Sequence, residues 1–120
     1  MNGALDPVRL AATERIAQVR ARFLANLPAR LEGLAALALK AGADAPEAEE
    51  AREALRIGLH NLSGSAPTLG LVEIGRLAGE IERRVISKQL PNGGLTPPVA
   101  SEVAHDVSAL GDVAPEAPGR

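Results

Sequence analysis

The chain has 120 residues, 46% of them hydrophobic and 23% charged, with a formal net charge of −2 and a single aromatic side chain, Phe23. That is one domain's worth of chain, apolar enough to bury a core and too short for a nucleotide-binding kinase domain plus a substrate domain. Mild acidity and missing aromatics argue against nucleic-acid binding, and the absence of cysteine excludes a disulfide scaffold, a Cys-ligated zinc site and a thiol nucleophile.

No segment alternates as a strand does, so the chain reads as all-α. The first helix starts at Asp6-Pro7, an N-cap followed by proline at the first helical position. Its apolar stripe is Ile16, Val19, Phe23, Leu27, Leu31, Leu34 and Ala38, in steps of three and four that predict one buried face. Pro28 removes one backbone hydrogen bond, but the stripe keeps phase through it, which predicts a kink and not an end. Ala41-Gly42 closes the helix.

The second helix is expected from Asp44 or Ala45, with Pro46 just inside and Glu47, Glu49 and Glu50 in the first turn, where the helix dipole favours negative charge. Its core positions are Ala51, Leu55, Gly58, Leu59, Leu62, Ala66 and Leu69, and Pro67 and Gly70 mark its end. The third helix, Leu71 to Ser87, buries Leu71, Ile74, Leu77, Ala78, Ile81 and Val85. Pro91-Asn92-Gly93-Gly94 is a strong turn signal. Thr96 caps a short fourth helix whose stripe is Val99, Val103, Val107 and Leu110. Four amphipathic helices with short connections predict an antiparallel up-down four-helix bundle over residues 7–112. Residues 1–6 are then an N-terminal extension and 113–120 a disordered tail rich in proline and glycine. Neither a targeting signal nor a membrane span is legible, so a cytoplasmic protein is expected.

His60 is the informative position. At about 100° per residue it points away from Leu59 and Leu62, into solvent. Arg56, Ser63, Gly64 and Pro67 share its face. Glycine in mid-helix costs roughly 1 kcal/mol relative to alanine. A side chain at 64 would stand beside the imidazole and block a partner's approach, which gives Gly64 a reason. Arg56 adds a cation and Ser63 a hydroxyl donor. An exposed neutral imidazole is a competent nucleophile, so this face can load a phosphoryl group.

Other features carry blander readings. His105 is exposed without a supporting constellation, and no spacing motif makes it a metal partner of His60. The acidic run compensates a helix dipole. Arg83, Arg84 and Lys88 complement the end of the third helix or meet an acidic partner surface. Gly75 and Gly79 permit close packing between soluble helices.

The stretch Leu59-His60-Asn61-Leu62-Ser63-Gly64-Ser65-Ala66-Pro67-Thr68-Leu69-Gly70 resembles the signature of histidine-containing phosphotransfer (HPt) domains. The segment Leu71 to Glu82 is similar to that family's next helix, with its Leu/Ala spacing and terminal acidic residue. Phe23 to Leu31 is similar to its first long helix. The resemblance implies that His60 is phosphorylated, that Gly64 clears space for a docking partner, and that Leu59 and Leu62 pack the helix. The implied partners are response-regulator receiver domains and a hybrid sensor histidine kinase, with no nucleic acid and no membrane, for a chain that acts as a monomer. The implied reaction carries phosphoryl between receiver aspartates, with Mg2+ on the receiver and no cofactor on this chain. No ATP-binding glycine loop occurs, so self-phosphorylation is not expected. The family pattern usually has lysine where this chain has Ser63, and Arg56 could supply that charge. Two other readings stay open: a receiver-binding adaptor that does not transfer, and a helical scaffold or dimerisation bundle in which His60 is incidental.

Overall fold

The computed structural model describes residues 7–113. Four α-helices run in chain order, α1 (Pro7–Ala41), α2 (Ala48–Thr68), α3 (Val72–Ser87) and α4 (Pro97–Ala109), followed by one 3-10 turn at Leu110–Asp112. No strand occurs among the described residues. Helix α1 packs on α2 and α4, α2 packs on α3, and a narrower contact joins α3 to α4. The core between them is Leu, Ile, Val and Ala, with Leu55, Leu59, Leu62, Leu71 and Val103 fully shielded from water. The expected extension at 1–6 and all of the expected tail beyond Val113 lie outside the described residues.

Helix α1 continues through Pro28, as its unbroken stripe requires. The stripe is nonetheless buried only in part. Leu27, Leu31, Leu34 and Ala38 are in the core, whereas Ile16 is 58% exposed and Val19 45%. The expectation that those two pack inward is corrected by length. At 1.5 Å per residue α1 spans about 52 Å and α2 about 31 Å. Arg20 Nη1 donates to Leu69 O at 3.2 Å, beside the last turn of α2. Residues before Arg20 therefore overhang the bundle, where nothing covers them. Phe23 sits at the edge, half-buried, with the Arg30 guanidinium 5.9 Å from its ring centroid.

Helix α2 starts later than expected. Ala48 N bonds Ala45 O and closes a turn first, and the earliest α-type bond is Ala51 N to Glu47 O. Glu47 is thus the N-cap, with Glu49 and Glu50 alone in the first turn. The other end is a Schellman motif. Gly70 N bonds Pro67 O, Leu71 N bonds Ala66 O, and Gly70 adopts φ +81°, which glycine reaches without steric cost. Leu71 and Ala66, both buried, complete it with an apolar contact. This tight reversal sets the register of α3 on α2. Pro67 then packs against Gly75, where a Cβ would stand 2.5 Å from Pro67 Cγ and 3.1 Å from Ser63 O. Ser63 faces Gly79 one turn on. Gly58, expected in the core stripe, is half-buried and fills its gap with the Leu34 side chain.

The loop before α4 turns at Gly93, φ +90°, with Leu90 N bonded to Gly94 O. Arg52 is buried, and its Nε donates to Gly93 O at 2.6 Å, tying the loop to α2. Thr96 caps α4, its hydroxyl oxygen accepting from Val99 N at 3.4 Å. No helix among the described residues is long and apolar enough to cross a membrane.

Candidate functional site

His60 lies in the middle of α2 with its side chain 67% exposed, opposite the fully buried Leu59 and Leu62. Its Nδ1 is 3.1 Å from Oε2 and 3.3 Å from Oε1 of Glu82 on α3. An ionised carboxylate only accepts hydrogen bonds, so Nδ1 carries the proton. In the neutral ring this leaves the lone pair on Nε2. Glu82 is itself only 13% exposed, so the carboxylate is held by the packing of α3 on α2.

Arg56 shares this face but is already engaged. Its Nε and Nη2 donate to Glu53 at 3.0 and 2.7 Å, and its Nη1 is 3.7 Å from Glu82. Hydrogen bonding to Glu53 raises the Arg56 pKa, and the same bonds from Arg56 hold the Glu53 carboxyl below its ordinary value. Ser63 is close by, but its hydroxyl donates to His60 O at 2.8 Å. The expected hydroxyl donor is thus spent on its own helix. A Cβ on Gly64 would meet nothing within 4 Å, so no internal contact requires glycine there. Pro67, expected on the same face at i+7, lies two turns on, about 10 Å along the axis, and packs on Gly75.

The structure therefore keeps Arg56, Ser63 and Gly64 within about one helical turn of His60 on α2 and packs Pro67 against Gly75 of α3. Glu82 was noted only as the acidic end of a helix; its pairing with His60 depends on the α2–α3 register. The Schellman signal at Leu69-Gly70-Leu71 is the feature from which that register could have been worked out. His105 is exposed on α4. Arg84, read as part of a basic helix end, is paired with Asp106 of α4. Among the described residues no group of three or more His, Cys, Asp or Glu converges to hold a metal ion.

An all-helical fold over the described residues that displays the His60 imidazole in mid-helix, oriented by a carboxylate from the next helix and fronted by a bare glycine, is a bundle organised around a surface histidine. A family model described as Hpt domain matches residues 18–113, and the chain belongs to the Hpt domain family. Hpt domains take part in histidine phosphotransfer in phosphorelays and work with response-regulator receivers. No curated protein and no solved structure matches the chain.

Proposed function

We propose that this protein carries a phosphoryl group on His60 between the aspartates of response-regulator receiver domains. The observation that carries the reading is the bond from His60 Nδ1 to Glu82, which leaves Nε2 as the nucleophile on an exposed ring. The Nε2 lone pair forms a bond to phosphorus as the bond to the aspartyl oxygen breaks, and the carboxylate leaves with that electron pair. The ring becomes a phosphoimidazolium whose positive charge faces the Glu82 carboxylate, which lowers the energy of the charged product. The second step reverses this toward another receiver. Mg2+ on the receiver would stabilise the transferring group, and this chain needs no cofactor of its own. A hybrid sensor kinase would stand upstream.

The scaffold in this reading is an antiparallel up-down bundle. Three sets of contacts support that arrangement: Ser63 with Gly79 and Pro67 with Gly75, Gly42 with Ala100 and Leu31 with Gly111, and Leu34 with Gly58 alongside Arg20 with Leu69. In each set the residue numbers run in opposite senses along the two helices. Gly64 leaves the helix surface beside His60 bare, as a docking partner's backbone would need.

One observation favours the adaptor reading instead. The position where the family usually carries lysine holds a serine whose hydroxyl is committed to His60 O. The test is to incubate the protein with a receiver domain charged by acetyl phosphate, with His60→Gln as control. Acid-labile, base-stable phosphate that depends on His60 supports the carrier. Binding without transfer supports the adaptor and overturns the carrier.

A further inference from the structure

We propose that Arg83, on α3, binds the phosphoryl oxygens of phosphorylated His60 and takes the place of the lysine that position 63 lacks. The inference rests on the carrier reading above and adds a residue to that site.

A phosphoryl group on His60 is an anion placed beside the Glu82 carboxylate. It calls for a cation that is free to turn toward it. Helices α2 and α3 hold five arginines. Arg52 is buried on Gly93 O, Arg56 is bidentate on Glu53, Arg76 pairs with Glu73 and Glu80, and Arg84 pairs with Asp106. Arg83 is exposed and has no hydrogen bond or ion pair among the described residues. The cation nominated by sequence, Arg56, is thus already neutralised, and the unclaimed one lies on the neighbouring helix.

Position matters as much as availability. His60 is level with Glu82, so the Arg83 backbone stands beside the imidazole's level on α3. Its side chain folds back along the helix over Gly79. A Cβ on Gly79 would be 3.7 Å from Arg83 Nη1 and 3.7 Å from Ser63 Cβ. The guanidinium and Ser63 therefore flank the same small gap, which stays open because residue 79 has no side chain. Ser63 is three residues from His60, about 4.5 Å along the axis. A lysine at 63 and the arginine at 83 would deliver charge to one place from opposite walls of the α2–α3 groove. The planar guanidinium can also offer two N–H donors to two phosphoryl oxygens.

The test uses potassium phosphoramidate to phosphorylate the full chain and 31P NMR to follow the phosphohistidine as pH is varied, with no receiver present. A nearby cation favours the doubly charged phosphoryl group, so Arg83→Ala should raise the titration midpoint by about half a pH unit or more. Adding Ser63→Lys to that variant should bring the midpoint back. With a charged receiver as donor, transfer to Arg83→Ala should be about tenfold slower, with the same restoration. Circular dichroism should be unchanged, since Arg83 supports no contact of the fold. A midpoint that does not move in Arg83→Ala overturns the inference and leaves the carrier reading standing. Absence of His60-dependent phosphate in the wild-type chain overturns both. Slower transfer from the receiver with an unmoved midpoint also overturns it, because Arg83 would then act in docking alone.

Discussion

His60 Nδ1 and the Glu82 carboxylate meet across the α2–α3 interface at 3.1 Å, an exposed ring held by a group that is largely buried. The carboxylate fixes which nitrogen keeps its proton, and burial keeps the carboxylate from turning away. Glu82→Ala should lower transfer to His60 by roughly 100-fold, the scale of losing one electrostatic stabiliser. Glu82→Gln retains an acceptor for Nδ1–H but not the charge, and should fall between the two. Nitrogen-15 NMR of the imidazole provides the check. The wild type should show the Nδ1–H tautomer, and Glu82→Ala a mixture.

Gly64 has open space where a side chain would go. Alanine there should raise helix stability by up to about 1 kcal/mol, since glycine is the poorer helix former. The same change should slow phosphoryl uptake from a receiver at least about tenfold, by holding the partner off the imidazole. Labelling by phosphoramidate, a small donor, should be unaffected. A thermal melt paired with the two labelling reactions separates these effects.

Gly75 is required by packing and not by docking. A Cβ there would stand 2.5 Å from Pro67 Cγ, in the tightest part of the α2–α3 contact. Proline is rigid, so the helices must separate to admit a methyl. Gly75→Ala should destabilise the bundle by roughly 1–3 kcal/mol, read as a lower urea midpoint. Because α3 carries Glu82, transfer should fall as well.

The Glu53–Arg56 pair predicts a dependence on pH. Hydrogen bonding from Arg56 holds the Glu53 carboxyl below its ordinary value in the folded chain. The unfolded chain therefore binds that proton more readily. The pair's contribution is present above the ordinary carboxylate value and is lost as pH falls through the lowered one. Both side chains are partly exposed, so the effect is small and weakens with salt. Wild type should exceed Glu53→Gln in urea midpoint at pH 7, and the gap should close below about pH 4.

Much of this protein follows from local rules. Steps of three and four placed Leu55, Leu59 and Leu62 inside, and the same rotation turned His60 outward. Thr96 and Gly70 marked helix ends through chemistry confined to a few neighbouring residues. These features depend on a helix's own geometry, which a sequence carries in full.

Other features were settled by how the helices meet. Ile16 continues the α1 stripe in phase yet stays exposed, because burial depends on how far α2 reaches and not on α1 itself. Arg52 looks like a surface residue until the loop at Gly93 folds onto it. Arg83 and Arg84 are adjacent in the chain, but only Arg84 meets a carboxylate, Asp106, since successive helical residues face different neighbours. The sequence by itself determined four amphipathic helices and an outward-facing His60. The tertiary structure decided that Glu82 holds that histidine, because a contact between residues 22 positions apart depends on helix register, and register is set by packing.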